Sequence, residues 1–536
     1  MKLRDIIPFL ATAVLLAMAF PSASLWPLAY IALVPLLLWL RGKGYRDAFV
    51  GGMAAGAVFY GITFAWFASL TYWVGGIVLA GVALLVILFA AFWGVIAVGT
   101  RFFERSLSGS IVFAFPSMWV LMEYVHNHIF TGFGWGSVGY TQWNNLAVAQ
   151  LASVGSVYAV SFYIVLINVL VYEIIARIRT SKLAATAGGA IIILAVAVPL
   201  WGKMRMQEPD LSSSLRIGVI QPNFSLDVKW SAEYSEHMLR TQERMTERVA
   251  AEGAELVVWP ESAIYYALVD EIERVGDIAR TNDVYLLIGS EHYDENARSP
   301  DEMRYYNSAF LINPEGRILG RYDKRHLAPF GEYVPLGQVL GFIGKVVPRI
   351  SDFSPGARNT VFEIEGRKFT VLICFENSFP HLVRGSARLG SDFLVQVTND
   401  GWFGQTAQPK QDLAIAVFRA IENGATLVRG TNTGISCFID PWGRISSIVR
   451  ASWGATVFVR GIAVETISTV AHDTFYKAYG DVWVAGCGVL AAVALGMCAY
   501  RRSNVRGSAA DSGTTEERSS HDSNAGPRTK KRSRKQ

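Results

Sequence analysis

A chain of 536 residues that is 51% hydrophobic and only 17% charged, with a net charge of +5 and a mean hydropathy of +0.29, is too apolar for an ordinary soluble protein of its length. Membrane insertion is the first inference. The apolar residues fill long, almost uncharged runs up to about residue 205 and return once near the C-terminus, on either side of a segment with normal globular polarity.

Stretches long enough to cross a hydrocarbon core, about 20 residues each, are expected near 6–22, 25–40, 47–71, 73–100, 111–124, 145–175, 183–201 and 482–499. Lys and Arg are retained on the cytoplasmic side of short loops, and here they alternate. Lys2 and Arg4 precede the first span; Arg41, Lys43 and Arg46 follow the second; Arg101 and Arg105 follow the fourth; Arg177, Arg179 and Lys182 follow the sixth. The loops near 22–25, 71–73 and 125–144 carry none. Lys203 and Arg205 run against this trend, but they open a long segment whose charges weigh less. The expected organisation is a bundle of seven spans over 1–205, an extracytoplasmic domain over 214–475, a last span over 482–499 and a disordered basic cytoplasmic tail over 501–536. The tail reads either as solvated chain or as a contact for anionic lipid heads. A rival reading makes 1–24 a cleaved signal peptide, with small residues Ser22, Ala23 and Ser24 at its end, and leaves the polar segment on the same side.

From 214 onward short β-rich runs appear: LRIGVIQ, ELVVWPES, VYLLIGSE, SAFLINPEG, FTVLICFE, DFLVQVTND and TLVRGTNTG. With helical stretches over 233–252 and 410–424 between them, they suggest layered α/β architecture. NPEG at 313–316 and DPWG at 440–443 are turn signals joining hairpin strands. Three runs end in polar residues where α/β folds commonly place chemistry: Glu261 after LVVWP, Cys374 at the end of FTVLIC, and Asn399 with Asp400 after FLVQVT. YDKRHLAPFGEYVP over 322–335 reads as a shaped loop carrying Lys324 and Glu332.

The four cysteines, Cys374, Cys437, Cys487 and Cys498, have no zinc-like spacing and form no disulfide framework. A Cys374–Cys437 bridge is possible from sequence but would disable either as a nucleophile. A thiol attacks acyl carbonyls as thiolate, so a catalytic Cys374 needs a base or cation beside it. Glu261 is a candidate base, Lys324 a candidate partner for thiolate and oxyanion, and the Phe375 N–H a second oxyanion donor. Glu332 and Glu376 are candidates to hold the lysine charged or to accept a proton from an attacking amine. From spacing alone each residue has a plainer reading: an inert strand-end thiol, a carboxylate after Pro260, a surface cation.

The flanking sequences decide between these readings. LVVWPES, YDKRHLAPFGEYVP, LICFENSFP and VTNDGWFG resemble the successive blocks of the carbon-nitrogen hydrolase (nitrilase) superfamily, whose catalytic set is Glu-Lys-Cys in that chain order. The resemblance covers about 214–475 and implies an α-β-β-α sandwich. With the preceding apolar block, and with FTGFGWGSVGYTQW at 130–143 and KW at 229–230 after IQPN, the whole chain resembles the bacterial apolipoprotein N-acyltransferases. That resemblance implies Glu261 as general base, Lys324 as oxyanion-stabilising cation and Cys374 as the acylated nucleophile. Glu332 and Glu376 match further acidic positions, and Trp230 and Trp402 match aromatic positions near the pocket. Phe375 stands where some members have Tyr.

The resemblance further implies a phospholipid acyl donor such as phosphatidylethanolamine, a diacylated apolipoprotein acceptor and placement in a bacterial inner membrane. No phosphate-binding glycine loop and no metal-ligand cluster is present in the sequence, so neither nucleotide, metal nor other cofactor is expected. No nucleic-acid partner is expected, and nothing requires more than a monomer. Trp230 and Trp402 also fit interface anchoring or core packing, and PLGQVLGFIGKVV over 335–347 reads either as a lipid-dipping arm or as a core helix. Two other functions remain: a membrane-tethered amidase using water, and a transporter with a non-catalytic outer domain. The second is disfavoured because transport spans should carry buried charge, whereas 48–172 holds only Arg101, Glu104, Arg105 and Glu123.

Overall fold

The computed structural model describes residues 3–106, 109–177, 182–294, 303–333 and 352–521. Four of its helices, Ile77–Ser106, Ala152–Ala176, Ala185–Arg205 and Val482–Arg501, are long and apolar enough to cross a membrane. Tyr45–Thr63 and Ala65–Val74 together make a fifth candidate, bent by 53°, and Asp5–Ala19, Trp26–Leu40 and Ile111–His126 are shorter apolar helices. The eight expected stretches therefore all hold apolar helix, but not all as straight spans. The stretch expected over 47–71 breaks at Phe64, and that expected over 145–175 begins with a separate turn, Leu146–Ala149. A helix then runs over Ala152–Arg177, with non-helical backbone at Gly155 and Ser156.

The last helix extends over Val482–His521, so the chain is helical well past residue 501, where irregular structure was expected. Extending an existing helix adds one hydrogen bond per residue without a new nucleation cost, so a polar sequence can continue it. The expected tail beyond 521 lies outside the described residues, as does the 335–347 arm.

Twelve strands form two six-stranded sheets. The first joins β1 (Ser214–Gln221), β2 (Leu256–Val258), β3 (Tyr285–Tyr293), β4 (Tyr305–Ile312), β5 (Ile318–Asp323) and β12 (Gly461–Ser468), in the order β12-β1-β2-β3-β4-β5. The second joins β6 (Val361–Ile364), β7 (Arg367–Ile373), β8 (Phe393–Thr398), β9 (Thr426–Thr431), β10 (Cys437–Ile439) and β11 (Ile445–Ile448), in the order β11-β10-β9-β8-β7-β6. The inner strands β1-β2-β3 and β7-β8-β9 are parallel. Both expected turns close hairpins, with Gly316 and Gly443 at positive φ.

Strand side chains alternate between faces, which explains why these runs are apolar throughout: both faces are covered. Val371, Ile373, Val395 and Val428 meet Val219, Val258 and Leu311 between the sheets. Ile220, Val257 and Ile288 face outward onto Leu239, Val249 and Ile278 of the helices Ser235–Ala251 and Leu268–Asn282. On the other side Leu372, Leu394 and Leu427 pack on the helix Gln408–Asn423. The α-β-β-α sandwich is thus present.

That last helix is also where the sandwich meets the apolar bundle. Every residue of it except Lys410 is buried, and its core cluster runs without a break into Tyr140, Val157 and Tyr60 of the bundle. Buried polar groups need partners, and here the partners lie across the joint. Gln411 accepts from Trp66 Nε1 at 3.1 Å and donates to the Thr63 carbonyl at 3.2 Å. Glu422 accepts from Ser156 Oγ at 2.6 Å and from the Val157 N–H at 3.1 Å, beside the helix break. Arg419, fully buried with it, closes the pair at 2.7 Å. Removing one partner of such a pair strands the other charge, so Arg419→Leu should destabilise the fold by about 3–5 kcal/mol. A lowered melting midpoint in detergent, partly recovered by adding Glu422→Leu, is the expected result.

Candidate active site

Cys374 follows β7 directly and opens a tight 3-10 turn, Cys374–Ser378. Its φ is +51°, a left-handed conformation that costs a non-glycine residue about 1–3 kcal/mol and persists only where surroundings enforce it. Glu376 does the enforcing. Its carboxylate is fully buried and accepts the Ile373 N–H at 2.9 Å on one oxygen. The other oxygen accepts Tyr322 Oη at 2.7 Å, the Arg325 N–H at 2.8 Å and the His326 N–H at 3.2 Å. Glu376 therefore ties the cysteine turn to the loop after β5, and its hydrogen bonds are spent on that link.

The same loop carries Lys324, which is 1% exposed. Its Nζ lies 2.9 Å from the Glu332 carboxylate and 3.7 Å from that of Glu261. Asn307 on β4 completes the cluster. Its side-chain amide donates to Glu261 Oε1 at 2.8 Å and to Glu332 Oε1 at 2.7 Å, while its main-chain carbonyl accepts the Lys324 N–H at 2.8 Å. Of the two acidic residues expected to hold the lysine, Glu332 does so and Glu376 holds the loop. Glu332 also fixes the loop's return by accepting the Ala328 N–H at 2.7 Å.

Burial alone would lower the Lys324 pKa, but Glu332 and Glu261 raise it above its ordinary value, so the ammonium persists. The Cys374 thiol is pushed well above its usual range, by burial first and then by the Glu261 charge, with Lys324 opposing. Cys374 thus rests as a thiol rather than a preformed thiolate, and any attack from it would need a base to take its proton. Behind it, Asp400 sits 3.0 Å from the fully buried Arg429, which also pairs with Asp412 at 2.6 Å.

The loop predicted over 130–143 reaches the Cys374 turn from the bundle. Trp135 stacks on Phe375 with centroids 5.7 Å apart, and Phe375 meets Phe379 edge-on at 5.0 Å. A Cβ at Gly134 would lie 2.1 Å from the Ser378 carbonyl oxygen, so only glycine admits this approach. Trp402 contacts Trp73 of the bent helix pair at 5.9 Å, whereas Trp230 is 43% exposed.

All four cysteines are free, so the possible Cys374–Cys437 bridge is not formed. Among the described residues no group of three or more His, Cys, Asp or Glu is arranged to hold a metal ion. The structure brings Glu261, Lys324, Glu332, Phe375 and Glu376 together around Cys374. It adds two residues for which no site role was expected, Asn307 and Lys229, the latter read only within the KW pair. The signal for Asn307 was an amide inside the apolar run of β4; Lys229, 2% exposed, donates to the Glu261 carbonyl at 2.6 Å. Because a raised pKa keeps the thiol protonated at neutral pH, iodoacetamide alkylation of Cys374 should still be climbing above about pH 9. Lys324→Met should move that climb to higher pH, since the opposing charge is gone; intact-mass time courses measure both.

With this geometry in place, two family models match the chain. "Apolipoprotein N-acyltransferase N-terminal domain" covers residues 12–170 and "Carbon-nitrogen hydrolase" covers residues 216–472. An apolipoprotein N-acyltransferase of Geobacter metallireducens is 35% identical over 514 residues, 94% of this chain and 96% of that one. Namesakes from Azotobacter vinelandii and Chlorobaculum tepidum are 33% and 28% identical, over 82% and 90% of this chain and 85% and 95% of theirs. Among solved structures, an amidase from Nesterenkonia sp. is similar at 20% identity and a TM-score of 0.38, over 52% of this chain and 98% of that one. The chain belongs to the apolipoprotein N-acyltransferase family, with a carbon-nitrogen hydrolase domain joined to an apolar helical block.

Proposed function

We propose that this protein moves a fatty acyl group from a membrane phospholipid, with phosphatidylethanolamine the expected donor, through a Cys374 thioester to an apolipoprotein. The acceptor is the α-amine of an N-terminal diacylglyceryl-cysteine, and the step completes lipoprotein maturation. The observation that carries this reading is the continuous buried core that joins Leu372, the helix Gln408–Asn423 and Phe375, next to Cys374, to helices of membrane-crossing character, with Trp135 of the bundle stacked on Phe375. Both substrates are lipids, and a soluble domain could recruit an acyl chain only against a large desolvation cost.

In the first half-reaction Glu261 takes the Cys374 proton as sulfur attacks the ester carbonyl, and Lys324 and the Phe375 N–H receive the oxyanion. The C–O bond breaks, Glu261 returns the proton to the leaving oxygen, and a lysophospholipid departs. In the second, the amine attacks the thioester, Glu261 takes the amine proton, and the C–S bond breaks as the thiol is restored. Glu332 keeps Lys324 charged throughout. Trp402, beside Trp73, and Trp230 are assigned to substrate contact at the lipid boundary.

The topology belongs to the same proposal. By length and composition the four long helices and the bent pair make four or up to five crossings; the reading counts the three shorter apolar helices with them as eight. Lys43, Arg101 and Arg105 gather at one end, where both arginines donate to the Lys43 carbonyl, and Arg41 donates to the Ala176 carbonyl. Ala176 lies about 30 Å along its helix from Ser156, which touches the sandwich. That distance matches a hydrocarbon core and supports a reading with the basic end cytoplasmic and the catalytic domain periplasmic in the inner membrane. A monomer suffices.

Initial rates with phosphatidylethanolamine and a diacylated lipopeptide should give parallel double-reciprocal lines, the mark of ping-pong transfer. Glu261→Gln and Lys324→Met should each lower kcat by about a hundredfold or more, and a peptide with an acetylated N-terminus should be inert. Intersecting lines, or acyl release to water at the same rate without peptide, would instead favour a hydrolase.

A further inference from the structure

We infer that Lys229 is a positioning residue for the proposed base: it holds Glu261 in place by the backbone and adds a second buried positive charge beside its carboxylate. The assignment rests on the reading of Glu261 as the base, and it begins from a contrast between neighbours in sequence. Trp230 is 43% exposed while Lys229 is 2% exposed, yet lysine is among the residues least often buried unless paired. Its Nζ donates to the main-chain carbonyl of Glu261 at 2.6 Å.

The segment that delivers Lys229 is itself anchored. The Asn432 side chain accepts the Phe224 N–H at 2.9 Å and donates to the Phe224 carbonyl at 2.8 Å, and the Asn432 carbonyl accepts the Asn223 N–H at 3.0 Å. One turn of helix, Leu226–Lys229, then points the lysine inward. Glu261 is gripped from the opposite side by β3: a Cβ at Gly289 would lie 2.6 Å from Glu261 Cα, and the Gly289 carbonyl accepts the Ala263 N–H at 2.7 Å. Between these two grips Ser262 adopts φ +45°, a conformation that relaxes unless it is held. Lys229 supplies the hold on the Glu261 side.

The charges complete the argument. Lys324 is shared between Glu261 and Glu332, so two carboxylates face one cation. Lys229 is the second cation, and the groups acting on it are Glu261, Cys374 and Glu291. Burial pulls its pKa down to about 8 while those three oppose the fall, so it remains an ammonium at neutral pH. Glu291, across β3 and β4 from Asn307, has its own pKa raised by burial, with Lys229 opposing. Asp400 also acts on Glu261, but its own partner is Arg429 at 3.0 Å, so it leaves Lys324 and Lys229 as the cations that serve Glu261.

The test is the pH dependence of thioester formation on the full-length detergent-solubilised enzyme with phosphatidylethanolamine, followed by intact mass. Lys229→Met should slow the plateau rate about tenfold or more through misplacement of the base and move the acid limb up by about one pH unit. Lys229→Arg keeps a cation and a donor, and should return the acid limb to its wild-type position. In a Glu261→Gln background, Lys229→Met should add less than about a twofold further loss, because residues acting through one another are not additive. An unshifted acid limb in Lys229→Met, or an equal loss in the Glu261→Gln background, overturns the assignment. So does an acid limb that Lys229→Arg leaves displaced, which also decides the matter should Lys229→Met fail to fold. If the wild type forms no thioester, or Glu261→Gln forms it at full rate, the underlying reading fails and takes this one with it.

Discussion

One buried ammonium organises the site. Lys324 lies within ion-pair reach of Glu332 and Glu261 and is 1% exposed, in surroundings where an uncompensated charge costs several kcal/mol. Each nearby feature can be read as a consequence of keeping that charge. Asn307 spaces the two carboxylates by donating to both. Glu376 fastens the lysine loop to the cysteine turn through four hydrogen bonds. The left-handed backbone of Cys374 is held by the same fastening. On the proposed reading, a cation fixed before any substrate arrives needs no reorganisation when negative charge develops on a carbonyl oxygen.

The second constraint is where this site is placed. The sandwich and the apolar helices share one core, centred on the helix Gln408–Asn423. The polar groups of that helix are answered from the bundle: Gln411 by Trp66 and Thr63, and Glu422 by Ser156 and Val157. The loop bearing Gly134 and Trp135 reaches from the bundle to the turn that Cys374 opens. A carbon-nitrogen hydrolase domain forms one half of a body whose other half is apolar, and the two meet at Phe375 and Ser378 of the turn that Cys374 opens. On the proposed reading, this keeps the half-buried thiol close to the apolar half, where lipid substrates reside.

Much of this was legible in the sequence. The strands could be read because buried parallel strands are apolar on both faces, and the turns because NPEG and DPWG leave little else for the chain to do. Glu261, Lys324 and Cys374 were legible through their flanking residues, not through their spacing. Asn307 and Lys229 were not, because each acts by where tertiary structure delivers it: one through the pairing of β3 with β4, the other through a one-turn helix anchored by Asn432. The breaks at Phe64 and at Gly155 and Ser156 were hidden for a related reason. Hydropathy reports that a stretch is apolar, whereas a bend reflects the neighbour it must meet, here Gln411 for the first and Glu422 for the second. Helix continuing to His521 shows the converse, with propagation from a formed helix overriding a polar composition.

The central claim is that an acyl group rests on Cys374 between donor and acceptor. The most direct measurement is the intact mass of the purified protein after incubation with phosphatidylethanolamine, compared with Cys374→Ala, and again after adding a diacylated lipopeptide. The account predicts a single fatty-acyl increment that requires Cys374, persists in water and passes to the peptide amine. An increment that never forms, forms without Cys374, or is lost equally fast without peptide would contradict it.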